Sequence, residues 1–170
     1  MKTKTLLVQA SARSFGDTQK VVAYLKTALS ADVIDLLDYS IGHYSYTSAN
    51  AADDFIPLMD RITTGYDQII FITPIYWYTM SGHLKVFFDR LSDLLKTSKS
   101  IGRRLRGKTM SYLSVSNAND RKPGFDMPFK ETANYLGMHY ISGAHCWVID
   151  DEIPLEAREI LDVMILKYIN

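Results

Sequence analysis

The sequence predicts an α/β fold: a single three-layer domain over residues 1–170, with a five-stranded parallel sheet between two layers of helices. Three observations predict it. Short apolar runs of buried-strand length alternate with amphipathic stretches from end to end. No repeat or low-complexity tract interrupts that alternation. A chain of 170 residues is long enough for one substantial core and too short for two ordinary ones. Right-handed crossovers then leave few sheet orders, of which 2-1-3-4-5 is the common one for five strands.

Each element has its own signal. Residues 5–9 are a continuous apolar run, the pattern of a strand covered on both faces. A first helix starts near Asp17 and Thr18 and places Val21, Val22, Leu25 and Leu29 at helical spacing. Residues 32–36 give the second strand. Residues 37–50 are polar, tyrosine-rich and aperiodic, a long loop of the kind that carries function or moves. A second helix over 53–64 precedes the third strand, 68–73, which Pro74 is expected to stop by removing a backbone donor and fixing φ. The next segment packs Tyr76, Trp77, Tyr78 and Met80 together. It then runs through Ser81 and Gly82 into a helix over 82–96 with Leu84, Phe87, Phe88 and Leu91 on one face. A basic connection (98–108), a fourth strand (109–115), a polar turn (116–124), a helix (125–136), a fifth strand (138–149) and a last helix (154–169) complete the pattern. Pro154 suits that helix's first turn.

Charge and cysteine content exclude several classes. Nineteen basic and nineteen acidic residues cancel, so the strong positive field of a dedicated nucleic-acid binder is missing. The apolar stretch 6–10 is too short for a signal-peptide core or a membrane span, which implies a soluble, cytoplasmic protein. The single cysteine, Cys146, has no companion for a disulfide or a metal, and its apolar surroundings read as a buried, inert thiol. His43, His83, His139 and His145 are too scattered to build a metal site or a nucleophile relay, and read as surface or satisfied core residues. Ser11 and Ser81 lie outside any Gly-x-Ser-x-Gly elbow. Arg103, Arg104, Arg106 and Lys108 read as a solvated connection, with recognition of a nicotinamide-dinucleotide phosphate as the alternative.

In an open parallel sheet, ligands bind beyond the carboxyl ends of the strands, where strand order reverses. Three polar loops converge there. The first spans residues 10–18 and carries Ser11, Arg13, Ser14, Gly16, Asp17 and Thr18 ahead of a helix N-terminus. Hydroxyls, free amides, the helix dipole and a guanidinium make an anion site for a phosphomonoester. The alternative is that Ser14, Asp17 and Thr18 only cap the helix. Neither a Gly-x-x-x-x-Gly-Lys-Ser/Thr nor a Gly-x-Gly-x-x-Gly is present, which disfavours nucleoside triphosphates and Rossmann-bound dinucleotides. The second loop, Pro74, Ile75, Tyr76, Trp77, Tyr78 and Thr79 onward, suits a flat aromatic ligand or, alternatively, a core or subunit contact. The third offers Ser116, Asn117, Ala118, Asn119, Asp120 and Arg121, otherwise an ordinary strand-to-helix turn.

With these residues in view, the chain resembles the NAD(P)H-dependent FMN reductases of the flavodoxin-like fold. The segment from Ser11 to Thr18 is similar to that family's phosphate loop. The run from Thr73 to Gly82, followed by Leu84, Lys85, Phe88, Asp89 and Arg90, is similar to its flavin loop and following helix. The resemblance implies FMN held at its phosphate by Ser11, Arg13, Gly16, Asp17 and Thr18. It implies a ring held by Pro74, Ile75, Tyr76, Trp77, Tyr78 and Thr79, and by Ser116, Asn117 and Ala118. Many members carry adjacent glycines in that last turn, where this chain has Asn117 and Ala118. The function implied is a ping-pong hydride transfer from NADH or NADPH through FMN to a small-molecule electron acceptor such as a flavin, a quinone or another aromatic. Donor and acceptor share a face lined by Tyr44, Tyr46 and Trp77, and a homodimer helps to close the pocket. The alternatives are a flavodoxin-type electron carrier without nicotinamide turnover and a flavin-free scaffold on the same fold.

Overall fold

The structure is a computed structural model and describes residues 3–169. Strands β1 (Thr5–Gln9), β2 (Asp32–Asp35), β3 (Gln68–Pro74), β4 (Thr109–Ser116) and β5 (His139–Trp147) form one parallel sheet in the order β2-β1-β3-β4-β5. The helices are α1 (Asp17–Leu29), α2 (Phe55–Gly65), α3 (Gly82–Arg90), α4 (Asp93–Lys96), α5 (Lys99–Arg103), α6 (Met127–Leu136) and α7 (Leu155–Ile169). Strands β1 and β3 are apolar over most of their length because both of their faces are covered, whereas β4 interleaves the buried hydroxyls of Ser111 and Ser114. Leu6, Val8, Ile69 and Phe71 point into one core, while Leu7, Ile70 and Ile72 point into the other. The first core is aromatic: Phe71, Phe87, Phe88 and Phe129 meet edge-on or tilted, and Tyr112 stacks on Phe129 at 4.3 Å. The second is aliphatic, formed against α1 and α7. It holds Cys146, which is fully buried, with its pKa pushed up to about 12 by that burial.

Where element boundaries differ from expectation, local physics gives the reason. Pro74 is the last residue of β3 and pairs with Val115. Successive residues of a parallel strand donate to opposite neighbours, and the missing Pro74 donor faces the side where β1 has already ended at Gln9. The expected helix over 82–96 is two helices. Phe88, Leu91 and Leu94 recur every three residues, the 3-10 period. The chain tightens accordingly, with Leu91 donating to the Phe88 carbonyl and Leu94 to that of Leu91, both at 3.1 Å. The connection expected at 98–108 contains α5, seated against α4. A β-carbon on Gly102 would lie 2.7 Å from the Leu94 carbonyl oxygen. Its basic residues are partly engaged: Arg104 donates to Thr63 Oγ1 at 3.1 Å and pairs with Asp60, and Lys108 reaches the Tyr66 carbonyl. Among the described residues, no helix is long and apolar enough to cross a membrane, and no group of three or more His, Cys, Asp or Glu could hold a metal ion.

The long loop after β2 is ordered by a buried charge. Arg90, at the end of α3, is 1% exposed. It pairs with Asp53, donates through Nε to Asp93 at 2.6 Å, and donates to the carbonyls of Gly42 at 3.0 Å and Asn50 at 3.2 Å. The guanidinium also lies 4.8 Å from the centre of the Phe55 ring. Burial pushes the Asp53 carboxyl up, but the Arg90 hydrogen bond, the amides of Phe55 and Gly42 and the Arg90 charge outweigh that and hold its pKa below the ordinary value.

Arg90→Leu strands Asp53 and Asp93 without their counter-charge and is expected to cost about 3–5 kcal/mol in urea unfolding. A carboxyl with a depressed folded pKa stabilises the fold above its unfolded pKa of about 4, and that contribution is lost as pH falls through the folded value. Wild-type stability should therefore decline below about pH 4, and Asp53→Asn should flatten that decline in urea titrations taken from pH 5 to pH 2.

Candidate functional site

At the carboxyl edge the ladders overrun the strands. Ala10 donates to the Ile72 carbonyl at 2.9 Å, Ile75 to that of Val115 at 2.9 Å, and Val148 to that of Ser116 at 3.0 Å. The three predicted loops leave from this shelf.

The first loop is shaped from below by Gln9. Its side-chain amide donates to the Ser14 carbonyl at 3.0 Å and to Asp35 at 2.8 Å. Ser11 and Thr18 are buried, and Arg13 is exposed. The Arg13 guanidinium folds across Gly16: a β-carbon at Gly16, whose φ is +150°, would fall 2.6 Å from Arg13 Nε. No side chain caps α1 at its N-cap, Gly16. The capping alternative therefore fails, and the first-turn amides keep their hydrogen-bonding capacity beside two hydroxyls and a guanidinium. The Asp17 carboxylate turns along the helix, 3.6 Å from Lys20, which also pairs with Asp151. This donor set suits a phosphomonoester.

The second loop is a tight turn. Tyr76 donates to the Thr79 carbonyl at 3.0 Å and Thr79 to that of Tyr76 at 3.2 Å. Between them, Trp77 (φ 48°) and Tyr78 (φ 68°) both adopt the left-handed conformation that large side chains avoid. The amides of Ile75, Tyr76 and Thr79 are thus occupied by the backbone. Trp77 is 91% exposed and Tyr78 is also exposed. Such strain persists only where the surroundings impose it. The anchor is Ser81, fully buried: its hydroxyl donates to the Ala10 carbonyl at 2.5 Å and accepts the Leu84 amide at 3.2 Å, and its own amide donates to Thr73 Oγ1 at 2.9 Å. First and second loops are thereby held side by side.

The third loop is closed on itself. Ser116 Oγ donates to the Ala118 carbonyl at 2.7 Å, accepts the Ala118 amide at 3.3 Å and lies 3.1 Å from Asp120. Asn117 and Ala118 are exposed. His145 lies underneath, a residue that reads in the sequence as surface or core.

Two expected residues are elsewhere. Tyr44 and Tyr46 pack edge to face at 5.1 Å with Lys96 Nζ over both rings, at 5.2 and 4.9 Å from their centres. Their loop is drawn there by Arg90, so in this chain they do not join Trp77. Gln9, Ser81 and Arg90 were missed as organising residues. The available signal was a polar side chain at the end of an apolar run, which periodicity alone does not rank.

Residues 3–151 match the sequence profile of the NADPH-dependent FMN reductases, and the chain belongs to that family of FMN-dependent oxidoreductases using NAD(P)H. It is 26% identical over 147 residues, 81% of both chains, to the Bacillus subtilis (strain 168) protein YwqN, named provisionally as an NAD(P)H-dependent FMN-containing oxidoreductase. In fold it is similar to the Trp repressor binding protein of Bacillus subtilis, with a TM-score of 0.73, 22% identity and 94% of each chain covered. It also resembles an NADPH-quinone reductase from P. pentosaceus, with a TM-score of 0.63, 19% identity and coverage of 99% of this chain and 98% of the other. A third similar fold is general stress protein 14 of Treponema denticola, solved with FMN, with a TM-score of 0.60, 18% identity and coverage of 98% and 95%. The flavodoxin-like architecture is common to these.

Glycine relieves left-handed strain at the cost of unfolded-state entropy. Tyr78→Gly is therefore expected to stabilise the protein by about 0.5–1 kcal/mol in urea. Gly16→Ala should do the opposite, losing about 1 kcal/mol or more, since the new methyl meets both an unfavourable φ and Arg13. Equal midpoints for all three proteins would contradict the strain assigned to these turns.

Proposed function

We propose that this chain holds FMN in the crevice above β1, β3 and β4 and uses it to pass electrons from NADH or NADPH to a small aromatic acceptor, a quinone or a free flavin. The observation that carries the reading is the Ser81–Ala10 hydrogen bond, which sets an uncapped, cationic helix start beside a strained, exposed aromatic turn. Bound FMN supplies the two-electron redox chemistry.

The residues bind and orient. Ser11 and Thr18 hydroxyls, the amides of Gly16, Asp17 and Thr18, and the Arg13 guanidinium take the phosphate. Pro74 and Ile75 form the floor of the ring site, with Tyr76 and Thr79 closing the turn that presents the amides and rings of Trp77 and Tyr78. The turn of Ser116, Asn117 and Ala118 borders the ring's far edge and directs backbone dipoles at it. Trp77 lines a single open face that donor and acceptor occupy in turn, a ping-pong arrangement. Tyr44 and Tyr46 have no role at this face within one chain. A homodimer is part of the same proposal: Phe15, Trp77 and Tyr78 expose more aromatic surface at the crevice than one flavin covers, and such patches mark interfaces.

The purified protein mixed with FMN should give a bound-flavin spectrum that bleaches on anaerobic addition of NADH or NADPH. Bound flavin that does not bleach would indicate an electron carrier instead, and an unchanged free-flavin spectrum a scaffold. Arg13→Ala should weaken FMN by about 1–3 kcal/mol, the scale of a charge-assisted hydrogen bond, and leave riboflavin affinity unchanged, both by fluorescence titration. Sedimentation of the FMN-loaded protein should give about twice the chain mass. A fully active monomer would remove the dimer from the proposal.

A further inference from the structure

His145 is buried, 6% exposed, and sits on β5 opposite Ser114 of β4. Both ring nitrogens are engaged. Nε2 is 3.0 Å from the carbonyl oxygen of Ala118, an atom that can only accept, so the ring proton resides on Nε2. Nδ1 is 3.0 Å from Ser114 Oγ. That hydroxyl has a second acceptor, the Ala144 carbonyl, at 3.2 Å. With the proton on Nε2, Ser114 donates to Nδ1, so both ring nitrogens are paired and no buried polar atom of the ring is stranded.

We propose that His145 is a positioning residue for the cofactor: by pinning the Ala118 carbonyl inward, it aims the Asn119 amide outward as a hydrogen-bond donor to the flavin ring. Across a planar trans peptide, the C=O of one residue and the N–H of the next point in opposite directions. A carbonyl fixed on a buried imidazole therefore turns the following N–H toward the open side of the loop. Ser116 Oγ, from the last residue of β4, and the Asp120 amide also bond the Ala118 oxygen, at 2.7 and 2.9 Å, and Ser116 Oγ lies 3.4 Å from His145 Nε2. Ser116 thus ties the turn to β4, and His145 ties it to β5. The charged groups around the ring are few. Asp120 reaches Ser116 from within the turn, Arg121 is engaged with the Tyr112 hydroxyl, and Lys167 of α7 lines, with Asn119, Arg121 and His145, a cavity of 290 Å³ beside the turn. The Trp147 ring, at 6.0 Å, is the neighbour along β5. The assignment rests on the FMN reading above and adds Asn119 and His145 to its residues.

The test compares wild type, His145→Leu, His145→Gln and Asn119→Pro. Each is titrated with FMN and with riboflavin, melted without flavin, and measured for the midpoint potential of bound FMN. Glutamine restores a donor toward Ala118. Proline deletes the Asn119 N–H at an exposed position and leaves the His145 side chain itself in place. His145→Leu and Asn119→Pro are expected to lose about tenfold in affinity for FMN and riboflavin alike, because the contact is to the ring and not the phosphate. A donor that bonds reduced flavin more strongly than oxidised makes the loss about tenfold greater for the reduced form, lowering the two-electron potential by about 30 mV. His145→Gln should stay within about threefold of wild type. Unchanged affinity and potential in His145→Leu and Asn119→Pro, whatever the melting temperatures, would overturn the role of His145. Absence of FMN binding in wild type would instead overturn the functional reading on which it rests.

Discussion

The crevice depends on one buried hydroxyl. Ser81 terminates the aromatic loop, starts α3 and bonds the last carbonyl of the β1 extension, so three elements meet in one side chain. Its neighbours have no solvent to fall back on: Thr73 and Ser81 are both fully buried. Removing a partner there leaves a polar group unsatisfied, at about 1–3 kcal/mol, a cost that lands at the mouth of the site and not in the distant core. The strain in the Tyr76–Thr79 turn is tolerable because its exit is fixed by this bond and its entry by the Ile75 amide on β4.

The other end of α3 is organised by the opposite kind of interaction. Where Ser81 is a compact neutral anchor, Arg90 is a buried cation facing two carboxylates and two carbonyls. The helix between them spans about 13 Å at 1.5 Å per residue, so it acts as a strut. One end holds the first and second loops together. The other gathers residues 42–53, with Tyr44 and Tyr46 packed beside Lys96.

Much of this was legible in the residues. Apolar runs located all five strands, and their alternation with helices gave the sheet order. The loops after β1 and β3 were visible as polar or aromatic interruptions at strand ends. What escaped detection were side chains whose meaning comes from distant partners. His145 sits in an apolar run and is satisfied, but by a turn 27 residues earlier. Arg90 resembles any basic residue near a helix C-terminus until Asp53, 37 residues away, is brought beside it. The break after Arg90 was written as a switch from helical to threefold spacing, a change too short to outweigh the longer pattern. Backbone occupancy is harder still to foresee, as the mutual bonding of Tyr76 and Thr79 illustrates.

The depth of Cys146 has a consequence for chemical durability. Flavin chemistry in air exposes a protein to peroxide, and sulfur is the element most readily attacked. Oxidation of cysteine begins from the thiolate, and here burial keeps the thiol protonated and out of contact with solvent. Met59, Met80, Met110, Met138 and Met164 are likewise enclosed, and among the described residues Met127 alone presents its thioether at an exposed position, at the start of α6. Oxidative wear on this fold therefore falls first on a surface helix end and spares the packing on which the sheet relies.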